Sequence, residues 1–262
     1  IPTPHTDPEI VDFLMNYGDL YLGKTTVLCK DTPAFIANRI GVFGMMAIMN
    51  VKEKLKLSVD EIDALTGPII GRPKSATFRT GDVVGLDTLV KVAKGVADNC
   101  PNDEAKTQFN IPAWLDKMIA NNWLGDKTGQ GFFKKMPPSP KGEKEIHTLD
   151  LESMEYKPRV KPKFATLEAA KPIDDLYTRL KMLVAGQDKA GEFYRLFHYG
   201  LFSYISHRIP EISDEIYRVD DAMMAGFGWE IGAFESWDVL GVEKTVKAMK
   251  EAGYSVAPWV DE

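Results

Sequence analysis

The sequence predicts a mainly α protein built from two tandem all-helical domains. A short helix–strand segment precedes them, and a small β element lies in the linker between them. Three observations carry this. Apolar residues recur at helical spacing along most of the 262 residues, in segments punctuated by Gly/Pro turns. Only two stretches, near 25–29 and 132–156, read as strand. Finally, "FRTGDVVGLDTLVKV" from Phe78 lines up with "FESWDVLGVEKTVKA" from Phe234, sharing Phe-x-x-x-Asp-Val-x-Gly. Upstream of each copy lies an acidic helix, and upstream of that a long apolar one, so the order repeats as well.

The elements follow in turn. "TDPEIVDFLMNYGDLYLG" is a helix capped by Thr6 or Asp7, with Pro8 and Glu9 in its first turn and Gly18 or Gly23 at its end. Thr25–Cys29 is the strand after it, and the pair reads as the tail of an α/β sheet domain. From Pro33 the chain turns helical, to about Leu57, and is apolar nearly all round, as a helix buried on most sides is. Asp31 or Thr32 caps it. Ser58, with Glu61 three residues on, opens the next helix with a capping box. Gly85 separates two further helices, the second capped by Asp87. "IPAWLDKMIANNWLG" is amphipathic again. "DKTGQGFF" reads as a turn into a strand, since it lacks the GxxxxGK[ST] spacing of a phosphate loop. Short strands at Phe132-Phe133 and in "EIHTLDLESMEY" flank a Pro/Lys/Gly loop. Helices return at 173–185, 188–208, 213–226, 231–239 and 241–252. The domain boundaries expected are 1–30, 31–135, 136–172 for the linker, and 173–262.

Composition narrows function. A net charge of −6 argues against a broad nucleic-acid footprint. No apolar run reaches the roughly 18–20 residues of a membrane helix. Cys29 and Cys100 have no metal or redox spacing and are expected as reduced core thiols of a cytoplasmic protein. The four histidines lack partners at ligand spacing. No GxSxG, HExxH or GxGxxG occurs, so these residues alone hold no complete catalytic set. Asn38 is the exception to the apolar run. It is either a satisfied core asparagine bonded to a loop carbonyl or an amide facing a cleft, where it holds a substrate oxygen or a catalytic histidine.

Several motifs agree on a family. "KDTPAFIANRI" resembles the "KDTPGFIVNR" segment of 3-hydroxyacyl-CoA dehydrogenases, "GDVVGLDT" their "ADLVGLDT", and "WLGDKTGQGFFK" their "xLGxKTGxGFYxY". "DDAMMAGFGWEIGAFESWDVLGV" resembles the second helical repeat of the long and multifunctional forms. The resemblance covers nearly the whole chain. It implies helical domains of the 6-phosphogluconate-dehydrogenase C-terminal type, following a Rossmann domain that binds NAD. Residues 1–30 would be the tail of that domain, with its glycine-rich loop, catalytic histidine and glutamate upstream of Ile1. Of the family's catalytic set only the asparagine of the "NR" motif maps here, onto Asn38. The family oxidises (3S)-3-hydroxyacyl-CoA to 3-ketoacyl-CoA in fatty-acid β-oxidation. An acyl-CoA substrate, NAD bound outside this chain, and a homo-oligomer formed through the helical domains are therefore expected. The chain alone is expected to be inactive. Ala34 departs from the family's glycine, a change that a first helical turn would tolerate. The rival reading is a non-catalytic helical interaction or oligomerisation module.

Overall fold

The computed structural model describes residues 1–138 and 145–262. The heart of the expected Pro/Lys/Gly loop, 139–144, lies outside the described residues. Helices dominate: α1 (Pro8–Asn16), α2 (Ala37–Leu55), α3 (Val59–Thr66), α4 (Phe78–Val84), α5 (Leu86–Asn99) and α6 (Ala113–Ala120) come first. Three short strands follow, β1 (Phe133–Lys135), β2 (Ile146–Asp150) and β3 (Glu155–Pro158). Then come α7 (Ala165–Ala170), α8 (Leu176–Ala185), α9 (Lys189–His207), α10 (Ile216–Phe227), α11 (Ala233–Leu240) and α12 (Val242–Glu251). The mainly α class expected from the sequence is what the chain adopts. The strands form one antiparallel sheet in the order β1-β2-β3, with Phe133 opposite Thr148 and Thr148 opposite Lys157.

Three local expectations need correction. Residues 23–30, read as containing a strand, pair with no strand among the described residues. The β-branched run there has the side chains of a strand but no ladder partner, and propensity alone does not make one. The second is Asp87. Gly85, at φ 98°, is the residue that opens α5, while Asp87 sits inside the first turn and pairs with Lys127. Third, a short helix, α7, lies inside the 136–172 segment, which was expected as a linker with short strands.

Packing divides the chain into two compact units, one of Ile1–Gly41 with His198–Glu262 and one of Val42–Phe197. The second is built on aromatic contacts: the Phe78 and Phe132 rings lie 4.4 Å apart, with Trp114 5.8 Å from Phe132. Buried carboxylates tie its helices together. Asp63 on α3 accepts the backbone N–H groups of Thr77, Phe78 and Arg79 at 3.2, 2.7 and 3.0 Å, so it caps α4 from another helix. Asp82 on α4 accepts from Phe132 and Phe133 at 2.8 and 2.9 Å, fastening the "KTGQGFF" turn and β1 to that helix. The turn needs its glycines for this. A Cβ on Gly131 would stand 2.1 Å from Asp82 Oδ1, and one on Gly125, at φ 100°, 2.2 Å from the Asp82 carbonyl oxygen.

The other unit has a matching device. Asp220 on α10 accepts from Phe234 and Glu235 at 2.8 and 2.9 Å and so caps α11. Gly241, at φ 87°, joins α11 to α12 as Gly85 joins α4 to α5. The core here stacks Phe202 on Trp237, centroids 5.0 Å apart. Trp237 Nε1 donates to Thr245 at 2.6 Å. The repeat seen in sequence is therefore also a repeat of helix order, turn and cap.

Candidate functional site at the start of α2

The site begins with the turn before α2. Thr32 donates its N–H to the Lys30 carbonyl, and Phe35 donates to that of Thr32. Ala34 and Phe35 take φ of 63° and 39°, the left-handed region. This turn postpones the helix, which opens at Ala37 and not at Pro33. Neither Asp31 nor Thr32 can then cap it, and the Thr32 hydroxyl oxygen is buried without a partner among the described residues. Lys30 holds the turn from outside, donating to the Pro210 carbonyl and to Asp214, each at 2.6 Å.

Arg39 is wholly buried. Its Nε donates to the Tyr204 hydroxyl at 2.6 Å, Nη1 to the Pro33 carbonyl at 3.4 Å, and Nη2 pairs with Glu211 at 3.0 Å. The other Glu211 oxygen takes Arg208 Nη1 at 2.9 Å, and the Arg208 guanidinium lies 4.8 Å over the Tyr204 ring. A buried guanidinium is tolerable only with such partners, and removing one typically costs 3–5 kcal/mol. Sequence reasoning passed over Arg39. The signal was available: a charged residue inside an otherwise apolar helix needs a buried partner elsewhere in the chain.

The anchor decides what Asn38 does. Consecutive helical residues point about 100° apart. With Ile36, Arg39 and Ile40 fully buried, Asn38 is turned outward and is exposed. Its amide makes no hydrogen bond among the described residues. The expectation of a buried asparagine satisfied by a loop carbonyl is thereby overturned. The apolar residues beside Asn38 in sequence point elsewhere on the helix. What the turn and anchor produce is a neutral group with two donors and an acceptor, unspent, on the first turn of a fixed helix.

Of the other motifs, "DKTGQGFF" is the turn into β1 that was expected. Arg72 lies 4.8 Å over the Phe197 ring. No group of three or more potential metal ligands occurs among the described residues, and none of their helices is long and apolar enough to cross a membrane.

The helical body that this turn opens has known relatives. Residues 35–135 match the 3-hydroxyacyl-CoA dehydrogenase C-terminal domain. A probable 3-hydroxyacyl-CoA dehydrogenase of Bacillus subtilis is 43% identical over 264 residues, covering 100% of this chain and 32% of that protein. The mitochondrial hydroxyacyl-coenzyme A dehydrogenase of Homo sapiens is 36% identical over 135 residues, 51% of this chain and 41% of its own. In fold, the chain is similar to 3-hydroxybutyryl-CoA dehydrogenase of Escherichia coli K12, with a TM-score of 0.63 at 14% identity over 98% of this chain and 65% of that one. Residues 35–135 are thus a C-terminal domain of the 3-hydroxyacyl-CoA dehydrogenase family, and the chain is similar to such an enzyme along its whole length. It spans about a third of the length of the Bacillus subtilis relative.

Proposed function

We propose that this chain is the helical, substrate-facing part of an NAD-dependent (3S)-3-hydroxyacyl-CoA dehydrogenase of cytoplasmic fatty-acid β-oxidation, and that Asn38 touches the reacting oxygen of the acyl-CoA. Residues 31–135 and 173–262 are read as two copies of one helical unit. The second copy has no counterpart of the "KDTPAFIANR" turn and so no second site. Residues 1–30 are read as part of the cofactor domain. In support, α1 and the π turn after it leave Phe13, Leu14, Leu20 and Tyr21 more than half exposed, an apolar face that suits packing against further sheet and helix.

The single observation that carries the reading is the free, exposed amide of Asn38 beside the buried Arg39. An amide donor does not titrate, so it polarises a carbonyl or holds an alkoxide at any working pH. A group anchored through its helix loses little freedom when it does so. In this reading the dinucleotide site lies outside the described residues. Their sheet is three antiparallel strands, with no glycine-rich turn joining a strand to a helix. The family resemblance assigns hydride transfer to NAD and proton removal by a histidine to the rest of the enzyme, and this chain's own part is to bind and orient the acyl group.

The test is Asn38→Ala in the whole enzyme. Loss of the donor is expected to cost about 2–4 kcal/mol of transition-state stabilisation, read as kcat/KM, with thermal stability little changed because the side chain is exposed. Near-normal kcat/KM would return Asn38 to the surface and favour the interaction-module reading.

A further inference from the structure

Away from Asn38, within the Val42–Phe197 unit, α3, α4, the sheet and the segment after β3 enclose an open cavity of 930 Å³. Its lining is unlike the rest of this acidic chain. Six cations face it: Lys74, Arg79, Lys134, Lys135, Arg159 and Lys161. They come from four separate segments, so the fold, and no single basic run, gathers them.

The two guanidiniums are already held. Arg79 clasps Asp126 with two bonds of 2.6 and 2.8 Å, and Arg159 bonds Asp60 at 3.0 Å while lying 4.9 Å over the Phe133 ring. They form fixed walls. Lys74, Lys135 and Lys161 close no salt bridge among the described residues, although Lys135 acts at longer range on Asp126 and Lys161 on Glu168, and Lys134 lies 5.2 Å from the Tyr156 ring. The remaining acid of the lining, Asp63, is pushed up to about 7 by burial, so near neutrality it carries about half of a full negative charge. Val160, 70% exposed, and Ile146, 45% exposed, give the cavity an apolar edge.

We propose that this cavity is a binding site for a small multiply phosphorylated anion, distinct from the Asn38 site. Four ammonium groups on flexible stems, backed by rigid guanidiniums, suit spread phosphate charge. The volume falls within the range of small-molecule sites, about 300–1,000 Å³. An extended nucleic acid is the poorer occupant, since the chain carries a net charge of −6. The inference does not rest on the dehydrogenase reading.

The probe is inorganic pyrophosphate, titrated calorimetrically into the 262-residue chain at low salt. Saturable one-to-one binding is expected, weakening as salt is added. The double variant Lys74→Glu/Lys161→Glu should lose affinity about tenfold or more. The double variant Lys91→Glu/Lys94→Glu, on α5 and of equal charge change, should bind as the parent does. If the first pair loses its fold by circular dichroism, Lys74→Gln/Lys161→Gln takes its place, with a loss of a few-fold expected. Absence of saturable binding overturns the proposal. So does an equal loss in the α5 pair, which would make the effect one of net charge, or citrate binding as tightly as pyrophosphate, which would remove the preference for phosphate.

Discussion

Ala34 shows how one backbone angle outweighs a propensity argument. Judged by position in a helix, alanine there is harmless. In the structure it precedes the helix and sits at φ 63°. A side chain in that region costs roughly 1–2 kcal/mol, which glycine avoids. Glycine gives part of this back as added freedom in the unfolded chain, about 0.4–1 kcal/mol. Ala34→Gly should therefore stabilise the chain by about 0.5–1 kcal/mol, seen as a higher urea midpoint at unchanged slope. A lower midpoint would mean that the turn does not hold residue 34 in the left-handed region. A glycine at this position, as in the related segment "KDTPGFIVNR", would meet no such cost. At this scale Asn38 was legible as an oddity, a lone amide in an apolar run. Its exposure was not legible, because that depends on Arg39 finding Tyr204 and Glu211 more than 160 positions away along the chain.

At the scale of elements, the devices that could be read were the local ones. The capping box of Ser58 and Glu61 forms as its spacing implies, each side chain meeting the other's backbone N–H. The repeated Phe-x-x-x-Asp-Val-x-Gly marks two helix pairs joined by a positive-φ glycine. The carboxylate caps were not readable, since Asp63 and Asp220 serve helices that begin 15 and 13 positions later. Nor was the reason for Gly131, where a strand start meets the carboxylate of another helix. Here a methyl group is a sharp test. Gly131→Ala would drive its Cβ into Asp82 and strain or break both bonds to Phe132 and Phe133. Overpacking of this kind typically costs about 1–3 kcal/mol, and a loosened buried carboxylate adds to it. We expect a loss of about 2–4 kcal/mol by denaturant unfolding. A loss under about 0.5 kcal/mol would show that α4 and the turn are not bound through Asp82. Gly129→Ala makes the comparison, because open space surrounds that position and only its positive φ opposes the change.

For the whole molecule, the boundary between compact units falls inside two helices, after Gly41 in α2 and before His198 in α9. Each unit thus draws on both halves of the sequence, which a pattern read in chain order does not reveal. Both units share an electrostatic trait. Burial pushes Asp63 up to about 7, and Asp82 and Asp220 up to about 6, with their backbone N–H partners offsetting only part of that. Each therefore keeps its proton in the folded chain above the pH at which it is lost on unfolding. Between about pH 4 and 7 the folded state binds more protons, so stability falls as pH rises, by up to about 1.4 kcal/mol per pH unit for each group in its window. Other carboxylates run the opposite way. Asp126 is held low by Arg79, and Asp150 by Lys157. Their contribution is lost as pH falls below the ordinary carboxylate range, and it is small because the pairs are exposed. The two windows barely overlap, which places the optimum near pH 4–5. The urea midpoint should accordingly be higher at pH 5 than at pH 7.5, and nearly flat from 7.5 to 8.5. A midpoint that rises from pH 5 to 7.5 would mean that the three carboxyls ionise as ordinary ones do. The helix caps of both units would then rest on fully charged carboxylates.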